Sequence, residues 1–475
     1  MDLGTPALVV PDDLAWTLWG ADPYAAGLCP VSDAGAARHV LLPDRLPRAL
    51  GPALARLGED LPADRRVEVR AAPVLHGPRL ERVLTGVVDG ERPDGNGDHS
   101  AGHGHEGDGH EGDGPEGDGH EGDGPEGDGP EGDGHEGDGH EGHDHADMMA
   151  ITGAPGSDGL VMEPIDTAVG PLGGPLPGGL RVGVRLAGDV VERCEVVALL
   201  EAGAIAPDRP PDPLAPSAWE AVVHTATVPE GAARGWARVA AVEVERAVSH
   251  VAWLRAFARL LGWTLLVEAC SAALIPLTAA RRHPYDSAAP SDELARGLEA
   301  LASLRRVVRG RRMAARTRGR AVVGAGVVAR DGLTGPVARA AGVARDARMD
   351  DAAYATLAFE AVVEDDGDAR ARTVVRHAEA VAAVEIAVAA LARASHPAES
   401  GEGPTPFEDG TGGALVEGPR GPLRAWGDED GRLRGTAPGS EALRSVAARS
   451  AIGQEWAGAL VCLASFDLSP WRVGG

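Results

Sequence analysis

Cysteine is the first residue type that the sequence has little of. The four cysteines lie far apart and none belongs to a Cys-x-x-Cys pair: Cys29, Cys194, Cys270 and Cys462. The absence of such pairs excludes zinc ribbons, cysteine-ligated iron–sulfur sites and thioredoxin-like redox motifs. So few cysteines in a chain of 475 residues also argue against a disulfide scaffold. We therefore expect a protein of a reducing cytoplasm.

Positive charge is also scarce, and one long segment has none. The formal net charge of the chain is -27. Residues 99–145 contain 8 Glu, 8 Asp and no Lys or Arg, so they contribute -16 of that total. A strongly acidic protein is a poor partner for nucleic acid or for an anionic membrane surface. We expect neither as a direct partner.

The sequence lacks the features of a secretion signal. Asp2 stands where a signal peptide has basic residues, and Pro11–Asp13 interrupts the first apolar run. The longest apolar run, Leu260–Ala280, contains Glu268 and Pro276 and continues an amphipathic helical pattern. We predict that this run forms a buried helix and not a membrane span.

A five-residue repeat dominates the middle of the chain. Residues 105–139 read His/Pro-Glu-Gly-Asp-Gly seven times, with Pro in place of His in three of the units. The repeat has no apolar side chain whose burial could offset the entropy lost on ordering, so residues 96–147 are predicted to be a disordered, charged linker. Flexible histidines and carboxylates also bind Zn²⁺ or Ni²⁺ loosely, best at the dense end around His140, His143 and His145. A solvated spacer is the favoured interpretation, and weak metal storage is the alternative.

The linker separates two regions of different character. Residues 1–95 combine β-type runs at Ala7–Val10 and His39–Leu42 with a helical segment, Arg45–Asp60, which predicts a small α/β module. Residues 148–475 begin with a predicted hairpin at Arg181–Leu199 and then become mainly helical. The predicted class is α+β, with a helical bundle core and small β elements.

Two long helices should form the centre of that bundle. Val239–Trp263 is apolar round most of its circumference. Asp368–Ala394 carries side chains at alternating spacings of three and four, which is typical of a bundle seam. The predicted seam consists of Val374, His377, Val381, Val384, Val388 and Leu391, with His377 as a core histidine. A last helix is predicted over Ser440–Phe466.

Six segments carry a family resemblance. They read GPLGGPLPGGLRVGVRLAGDVV (170–191), EVERAVSHVAWL (243–254), DGLTGPVARAAGVARDAR (331–348), GDARARTVVRHAE (367–379), VEGPRGPL (416–423) and LVCLASFDL (460–468). In this order they resemble motifs of the D-type subunit of NADH–quinone oxidoreductase (complex I) and of the large subunit of membrane-bound [NiFe] hydrogenases. The resemblance implies a hydrogenase large-subunit-like bundle over residues 148–475. In related hydrogenases a domain like the C-type subunit of complex I precedes the large subunit, and residues 1–95 occupy that place.

The metal and quinone ligands of that family are missing. In [NiFe] hydrogenases two Cys-x-x-Cys pairs hold the metals, and this chain has none, so we expect no [NiFe] centre. In complex I a loop His and a Tyr meet the quinone headgroup. Gly173 and Pro177 stand at the two histidine positions, and none of the three tyrosines falls in the matching region. Quinone reduction in the complex I manner is therefore doubtful, and another ligand could occupy the cleft.

A set of polar residues should be buried in the bundle. At about 100° per residue, Glu243, Arg246 and His250 share one arc with apolar side chains, while Glu245, Arg255 and Arg259 lie opposite. Buried charges need partners, so the favoured interpretation is a structural ion-pair network. A remnant proton path or ligand site is the alternative. Both interpretations extend to Arg339, Arg372, Arg376 and Glu379.

Two loop motifs and the first motif supply further candidates for the wall of a cleft. Gly and Pro there set tight turns, and Arg420 is the residue expected to be exposed for contact with an anion. The candidates are Gly170, Pro171, Pro177, Arg181, Gly332, Thr334, Gly335, Pro336, Glu417, Arg420 and Asp467.

The family resemblance implies a component of a membrane-associated oxidoreductase complex. Its partners would be a small iron–sulfur subunit and membrane subunits, and its location the cytoplasmic side of the membrane, held there through those partners. We expect no tightly bound cofactor of its own, while quinone binding and a link to NAD follow from the family. Two alternatives remain: a nickel or zinc carrier that uses the repeat, and an active quinone- or NADH-linked enzyme with a remodelled cleft.

The repeat should be dispensable for folding, because it offers nothing to bury. Deletion of residues 99–145 is expected to leave the thermal midpoint of unfolding unchanged in metal-free buffer. A large fall in that midpoint would show that the repeat packs on a domain.

Overall fold

The computed structural model describes separate pieces of the chain. They are short elements between residues 5 and 71, then residues 163–201 without 173, 215–227, 232–282, 290–395, and 413–473 without 431. The chain divides into two units, Asp94–Ile151 and the remainder, and all described residues belong to the remainder. The predicted linker and its candidate metal ligands His140, His143 and His145 lie outside the described residues.

The N-terminal elements form a four-stranded parallel sheet. Its strands are β1 (Thr5–Val9), β2 (Leu28–Pro30), β3 (His39–Pro43) and β4 (Glu68–Ala71), in the order β2-β1-β3-β4. A 3-10 turn, Arg48–Leu50, leads into helix α1, Gly51–Asp60. Parallel neighbours need crossover connections, so this region is α/β in type, as its sequence predicted.

The second sheet is an antiparallel meander. It contains β5 (Ile165–Val169), β6 (Leu180–Ala187) and β7 (Val190–Ala198), followed by the short strand β8, Leu200–Glu201. The predicted hairpin is confirmed, and Gly188 occupies its turn with φ of +60°. Alternate residues of β6 are buried, which gives this sheet one face on the core.

A bundle of long and short helices forms the core of the described residues between 215 and 395. It comprises α2 (Pro216–Thr227), α3 (Ala232–Leu260), α4 (Thr264–Arg282), α5 (Pro290–Val308), α6 (Arg311–Thr317), α7 (Ala325–Asp331), α8 (Gly335–Arg339), α9 (Ala352–Thr356) and α10 (Ala369–Ser395). The most extensive contact is between α3 and α10, and α4 packs between α3 and α5. Together with the small sheets, these helices confirm the predicted mixed α+β class.

The seam of α10 differs from the predicted one. Val388 is 40% exposed and Val381 is only half-buried, although both were predicted to lie on the seam. The other four predicted residues, Val374, His377, Val384 and Leu391, are buried, and small residues complete the buried stripe: Ala380, Ala383, Ala387 and Ala390. Small side chains allow two helix backbones to approach closely, so the alanines favour close packing of α10 on α3, while Val381 and Val388 lie outside the buried stripe.

Helix α4 is the apolar run of the sequence. Among the described residues, the stretch Thr264–Arg281 alone is long and apolar enough, by length and composition, to cross a membrane. Its mean hydropathy is 1.3, and 44% of it is buried inside the fold. The prediction of a buried helix therefore holds for the side that meets α3 and α5. The other side is exposed, with Leu265 at 64% and Ile275 at 56%.

The C-terminal part contains three strands, two helices and a last short strand. Strands β9 (Gly413–Gly418), β10 (Gly421–Gly427) and β11 (Leu433–Thr436) form an antiparallel sheet, and β12, Trp471–Arg472, pairs with β8. The single helix predicted over residues 440–466 is wrong. It is divided into α11 (Ser440–Ala451) and α12 (Trp456–Ala464), because Gly453 adopts a φ of +76° and the chain there bonds to the β6–β7 hairpin.

Gly335 fixes the approach of two loops. Its φ is +64°, and a Cβ added there would overlap the carbonyl oxygen of Arg420. We expect Gly335→Ala to lower the free energy of unfolding by at least about 1–3 kcal/mol through backbone strain and overlap. The control is Gly326→Ala on α7, where no atom lies within 4 Å; an unchanged or slightly raised stability is expected there. Urea denaturation measures both, and equal stabilities would contradict the close approach.

Candidate functional site

Ten charged side chains form a buried cluster that we call the ionic network. It contains five carboxylates and five guanidinium groups: Glu243, Asp346, Glu379, Glu417 and Asp467 with Arg246, Arg339, Arg348, Arg376 and Arg420. Nine of these residues are at most 4% exposed, and the side chain of Arg420 is 14% exposed. Equal numbers of opposite charges allow the cluster to be buried without net charge.

Glu243 anchors one end of the ionic network. Its carboxylate accepts hydrogen bonds from Arg246 Nε (3.0 Å), Arg348 Nη1 (3.2 Å) and the Tyr354 hydroxyl (2.8 Å). Arg246 also donates to the backbone oxygens of Glu417 at 2.6 Å and Gly418 at 2.8 Å. Helix α3 is thereby tied to strand β9, far away in sequence.

Arg339 joins the centre of the network. Its Nε donates to Glu379 Oε1 at 2.5 Å, and its Nη1 lies 2.8 Å from Glu417 Oε1 and 3.0 Å from Asp346 Oδ2. Asp346 in turn accepts from Arg348 Nη2 at 2.7 Å, and the Arg348 guanidinium lies 4.2 Å from the centre of the Phe359 ring. One guanidinium thus links three carboxylates that come from three separate segments of the chain.

His250 is a neutral bridge between two charged partners. Its Nε2 lies 3.0 Å from Glu379 Oε2 and its Nδ1 lies 3.2 Å from Arg376 Nη1. Burial is the main cause that lowers the pKa of His250 to about 4, although Glu379 acts to raise it. The imidazole is therefore neutral at pH 7. The partners assign its proton to Nε2, which donates to Glu379, while Nδ1 accepts from Arg376.

Asp467 forms the other end of the network. Its Oδ2 lies 3.1 Å from Arg376 Nη1 and its Oδ1 accepts from Arg420 Nη2 at 3.0 Å. The backbone of Asp467 has φ of +54°, a left-handed conformation that Asp tolerates better than most residues. The turn after α12 therefore aims this carboxylate between the two arginines.

The carboxylates of the network differ in their affinity for protons. Burial alone would raise the pKa of Glu379, but Arg339 and the hydrogen bond from His250 hold it well below its usual range. Burial raises the pKa of Glu417 and the nearby Asp346 raises it further, against the opposing effect of Arg339. Burial also acts to raise the pKa of Asp346, yet Arg348 and Arg339 lower it to about 2. Glu417 is thus the member of these three that takes up a proton most readily.

Arg372 stands apart from the ionic network. Its guanidinium donates to the carbonyls of Gly367 (2.9 Å) and Ala321 (3.0 Å) and to Ser465 Oγ (2.8 Å), and it lies over the Phe466 ring. Burial lowers its pKa to about 9. Arg372 therefore fastens the start of α10 to the C-terminal turn. His377, predicted as a core histidine, is buried and its Nε2 lies 2.9 Å from the carbonyl oxygen of Leu301.

A cleft opens beside Asp467, and we call it the Gly-Pro cleft. It lies between the loop at residues 174–177, the helix α3 and the turn after α12. Trp253 and Phe257 stack in it with ring centroids 5.1 Å apart, and the Arg376 guanidinium lies 4.8 Å from the Trp253 ring centre. Pro177 borders the cleft and Gly173 lies outside the described residues. The cleft is largely aromatic and aliphatic, with the charged side chains of Asp467 and Arg259 in its wall.

A second cleft lies on the other side of the Arg420–Asp467 pair. We call it the Arg420 cleft; Thr334, Gly418–Leu423, Leu443, Asp467 and Trp471 are among the residues that line it. Asp467 borders both clefts. The loop candidates cluster around this second cleft, since Thr334 and Arg420 line it and Gly335 contacts the backbone of Arg420.

Several candidates take positions that differ from the predicted ones. Arg420 was expected to be an exposed anion contact, but it is mostly buried because its guanidinium pairs with Asp467. Arg181 faces the exposed side of β6, away from both clefts. Glu417 lies inside the ionic network and not on a cleft wall. The remaining loop candidates Gly170, Pro171 and Gly332 shape turns, with φ of +88° at Gly170 and +63° at Gly332, whereas Pro336 stands at the start of helix α8.

Sequence reasoning missed part of the site. Asp346, Arg348 and Tyr354 complete the network, and the first two stand in the motif that ends Arg-Asp-Ala-Arg, which was the available signal. Glu245 was placed on the side opposite the buried trio, yet it is fully buried. Its carboxylate accepts from the backbone nitrogens of Ser217 and Ala218 at the start of α2, a favourable position for an anion.

Comparison with known proteins bears on this arrangement. The sequence model of the family described as "Respiratory-chain NADH dehydrogenase, 49 Kd subunit" matches residues 292–405. The predicted family resemblance is confirmed. The matched segment contains Arg339, Asp346, Arg348, Arg376 and Glu379 of the network.

A solved structure extends the fold comparison. A chain of the archaeal membrane-bound sulfane sulfur reductase, a respiratory membrane complex, is similar to this chain with a TM-score of 0.52 and 22% sequence identity. The similarity covers 64% of this chain and 97% of that chain. At this identity the similarity establishes a shared fold. No curated protein sequence matches the chain.

Removing one charged side chain from the network should lower the free energy of unfolding more than removing an interacting pair does. Arg246→Met leaves Glu243 with one partner fewer in a dry site, and we expect it to lower the free energy of unfolding by about 3–5 kcal/mol. Adding Glu243→Gln should recover part of that loss, since the two groups interact directly. Chemical denaturation of both variants measures the recovery.

Arg296→Met on α5 is the matched control for this prediction. Arg296 pairs with Glu293 at the same spacing of three residues, but its side chain is 64% exposed. Its loss should cost less than about 1 kcal/mol. A stability of Arg246→Met equal to that of the control would contradict the structural role of the network.

Proposed function

We propose that this chain is the peripheral, large-subunit-like component of a respiratory-type oxidoreductase complex at a membrane. The family match over residues 292–405 and the fold shared with a component of a respiratory membrane complex support this assignment. The chain would take a [NiFe]-hydrogenase large-subunit-like fold, without [NiFe] chemistry because the Cys-x-x-Cys pairs are missing. Its partners would be a small iron–sulfur subunit and membrane subunits, and through them it would lie on the cytoplasmic side of the membrane.

The Gly-Pro cleft is the proposed ligand site of this protein. The observation that carries the proposal is that the ionic network ends at Asp467 in the wall of this cleft. Trp253 and Phe257 form the buried apolar side of the cleft, and Asp467 supplies a fixed polar group. A planar ring compound with polar substituents, such as a quinone, matches these two features.

The network gives the cleft a polarised wall. Arg376 is shared between Asp467 and His250 Nδ1, and His250 Nε2 donates to Glu379. A ligand group that changes the charge beside Asp467 therefore acts on Arg376 and, through it, on the hydrogen bonds of His250. Such a chain of shared contacts can stabilise charge that develops in the cleft, because no solvent has to reorganise around it.

A metal carrier is the second candidate function, and it depends on residues 96–147. The nine histidines of residues 99–145 are the motivating observation. Metal analysis of the full chain after chelator washing distinguishes the two ideas. Retained zinc or nickel in stoichiometric amount would support a carrier, whereas iron together with nickel would contradict the proposed loss of the metal centre.

Ala256→Phe tests the ligand site. Ala256 lines the Gly-Pro cleft outside the network, so a phenyl ring there should fill the cleft. We expect the dissociation constant of a short-chain benzoquinone, measured by calorimetry, to rise at least about tenfold, the loss expected when roughly 1.4 kcal/mol of contact is removed. The control Ala329→Phe, at an exposed position of α7, should bind as the unaltered chain does.

Two experiments test different parts of the proposal. Equal quinone affinity in the Ala256→Phe variant, or no quinone binding by the unaltered chain, rules out the cleft as the quinone site. Purification of the tagged chain from its native membranes tests the assembly. Recovery of the chain without any membrane or iron–sulfur subunit would contradict a role in a complex. This result does not depend on which ligand the cleft binds.

A further inference from the structure

One stretch of the chain is rich in positive charge and free of negative charge, and we call its exposed part the arginine face. Residues 300–330 contain nine arginines and no Asp or Glu. Seven of them are exposed at the end of α5, on α6 and just after it: Arg305, Arg306, Arg309, Arg311, Arg312, Arg316 and Arg318. The chain as a whole is strongly acidic, so this face has the opposite sign from the average surface.

Three of these arginines have contacts that hold the face in place. Arg309 pairs with Glu364 at 3.2 Å, the Arg312 guanidinium lies 4.7 Å from the Trp263 ring centre, and Arg316 Nη1 donates to the carbonyl of Leu261. The last two contacts join α6 to the corner between α3 and α4. The exposed Arg305, Arg306, Arg311 and Arg318 make no ion pair with any residue that the structure describes.

An exposed apolar stripe begins beside the arginine face. Helices α4 and α5 run antiparallel, with Gly297 packed on Leu277, so the C-terminal end of α5 lies next to the start of α4. Leu265 at that start is 64% exposed, and Ala272 and Ile275 continue the stripe. At about 100° per residue these three positions lie within about 80° of one another. Glu268 is the acidic side chain within this arc.

We propose that the arginine face and the exposed stripe of α4 together bind the surface of an anionic lipid bilayer. Arginine on one side and large aliphatic residues on the other are the two features of a helix that lies in a membrane interface. Phosphate groups of lipid match the planar donor fork of arginine. Leu265 and Ile275 would enter the boundary between headgroups and acyl chains, which neither nucleic acid nor an acidic peptide offers.

This contact goes beyond attachment through partner subunits, and it reverses the expectation, drawn from the net charge alone, that an anionic membrane surface is not a direct partner. The acidic remainder of the surface is repelled by anionic lipid, so the arginine face would be the side that approaches the bilayer. An arginine beside an anionic bilayer strengthens binding by about fivefold. The contact would orient the chain on the membrane before or during assembly with membrane subunits.

Vesicle flotation with the full chain tests the proposal. We expect binding, at low ionic strength, to vesicles of equal parts phosphatidylcholine and phosphatidylglycerol, and none to pure phosphatidylcholine. The quadruple variant Arg305→Gln, Arg306→Gln, Arg311→Gln and Arg318→Gln should lose at least about tenfold in partition coefficient. Leu265→Gln should also weaken binding, whereas Glu268→Gln should strengthen it.

A control variant with the same change of net charge isolates the surface. It carries Gln in place of four exposed arginines that are paired elsewhere: Arg193 with Asp166, Arg434 with Asp428, Arg449 with Asp331 and Arg472 with Glu201. Binding within about twofold of the unaltered chain is expected for this control. Circular dichroism confirms that each variant is folded.

Three outcomes would overturn the proposal. The first is absence of binding to the anionic vesicles at low salt. The second is an equal loss in the two quadruple variants, which would mean that total charge and not this face governs binding. The third is a loss in the arginine variant without any effect of Leu265→Gln, which would mean that attraction to the headgroups alone accounts for binding and that the stripe of α4 does not enter the bilayer.

Discussion

The fold of the described residues between 215 and 473 depends on burying equal numbers of positive and negative side chains together. Removing an ionised group from water is expensive unless it has partners of opposite charge with good hydrogen-bond geometry. The five carboxylates and five arginines of the ionic network meet that requirement only in one arrangement of α3, α8, α10, β9 and the C-terminal turn. A shift of any one of these segments would leave charged groups without partners, and that cost disfavours other arrangements of the same segments.

Close apolar packing brings the charged residues of this network within reach of one another. The alanine stripe of α10 brings that helix close to α3, so His250 on α3 reaches Glu379 and Arg376 on α10. Tight loops also bring charged residues together. Gly335 lets the chain before Arg339 touch the loop that carries Arg420. Small residues and buried charges thus occur together in this bundle, because long polar side chains meet only where backbones come near.

Much of the fold could be predicted from the sequence because its elements are long and regular. The hairpin of β6 and β7 and the helices α3 and α10 follow from periodicity, and the arc of Glu243, Arg246 and His250 follows from their spacing on one helix. The partners of these residues could not be found in this way. Glu243 and Arg246 bond to each other, but His250 bonds to residues more than a hundred positions away. Periodicity also misplaced Val388 and Glu245, since it ranks residues by type and does not show which neighbour covers them.

The left-handed backbone of Asp467 limits what evolution can place at this position. Glycine and asparagine accommodate φ of +54° as well as aspartate does, but neither carries a negative charge, and glutamate carries the charge on a side chain that is less tolerant of this conformation. Any neutral replacement would leave Arg376 and Arg420 facing each other with one carboxylate fewer. A homologue that lacks this aspartate should therefore also have lost one of the two arginines, and such paired losses would trace how far the polar wall of the cleft persists among related chains.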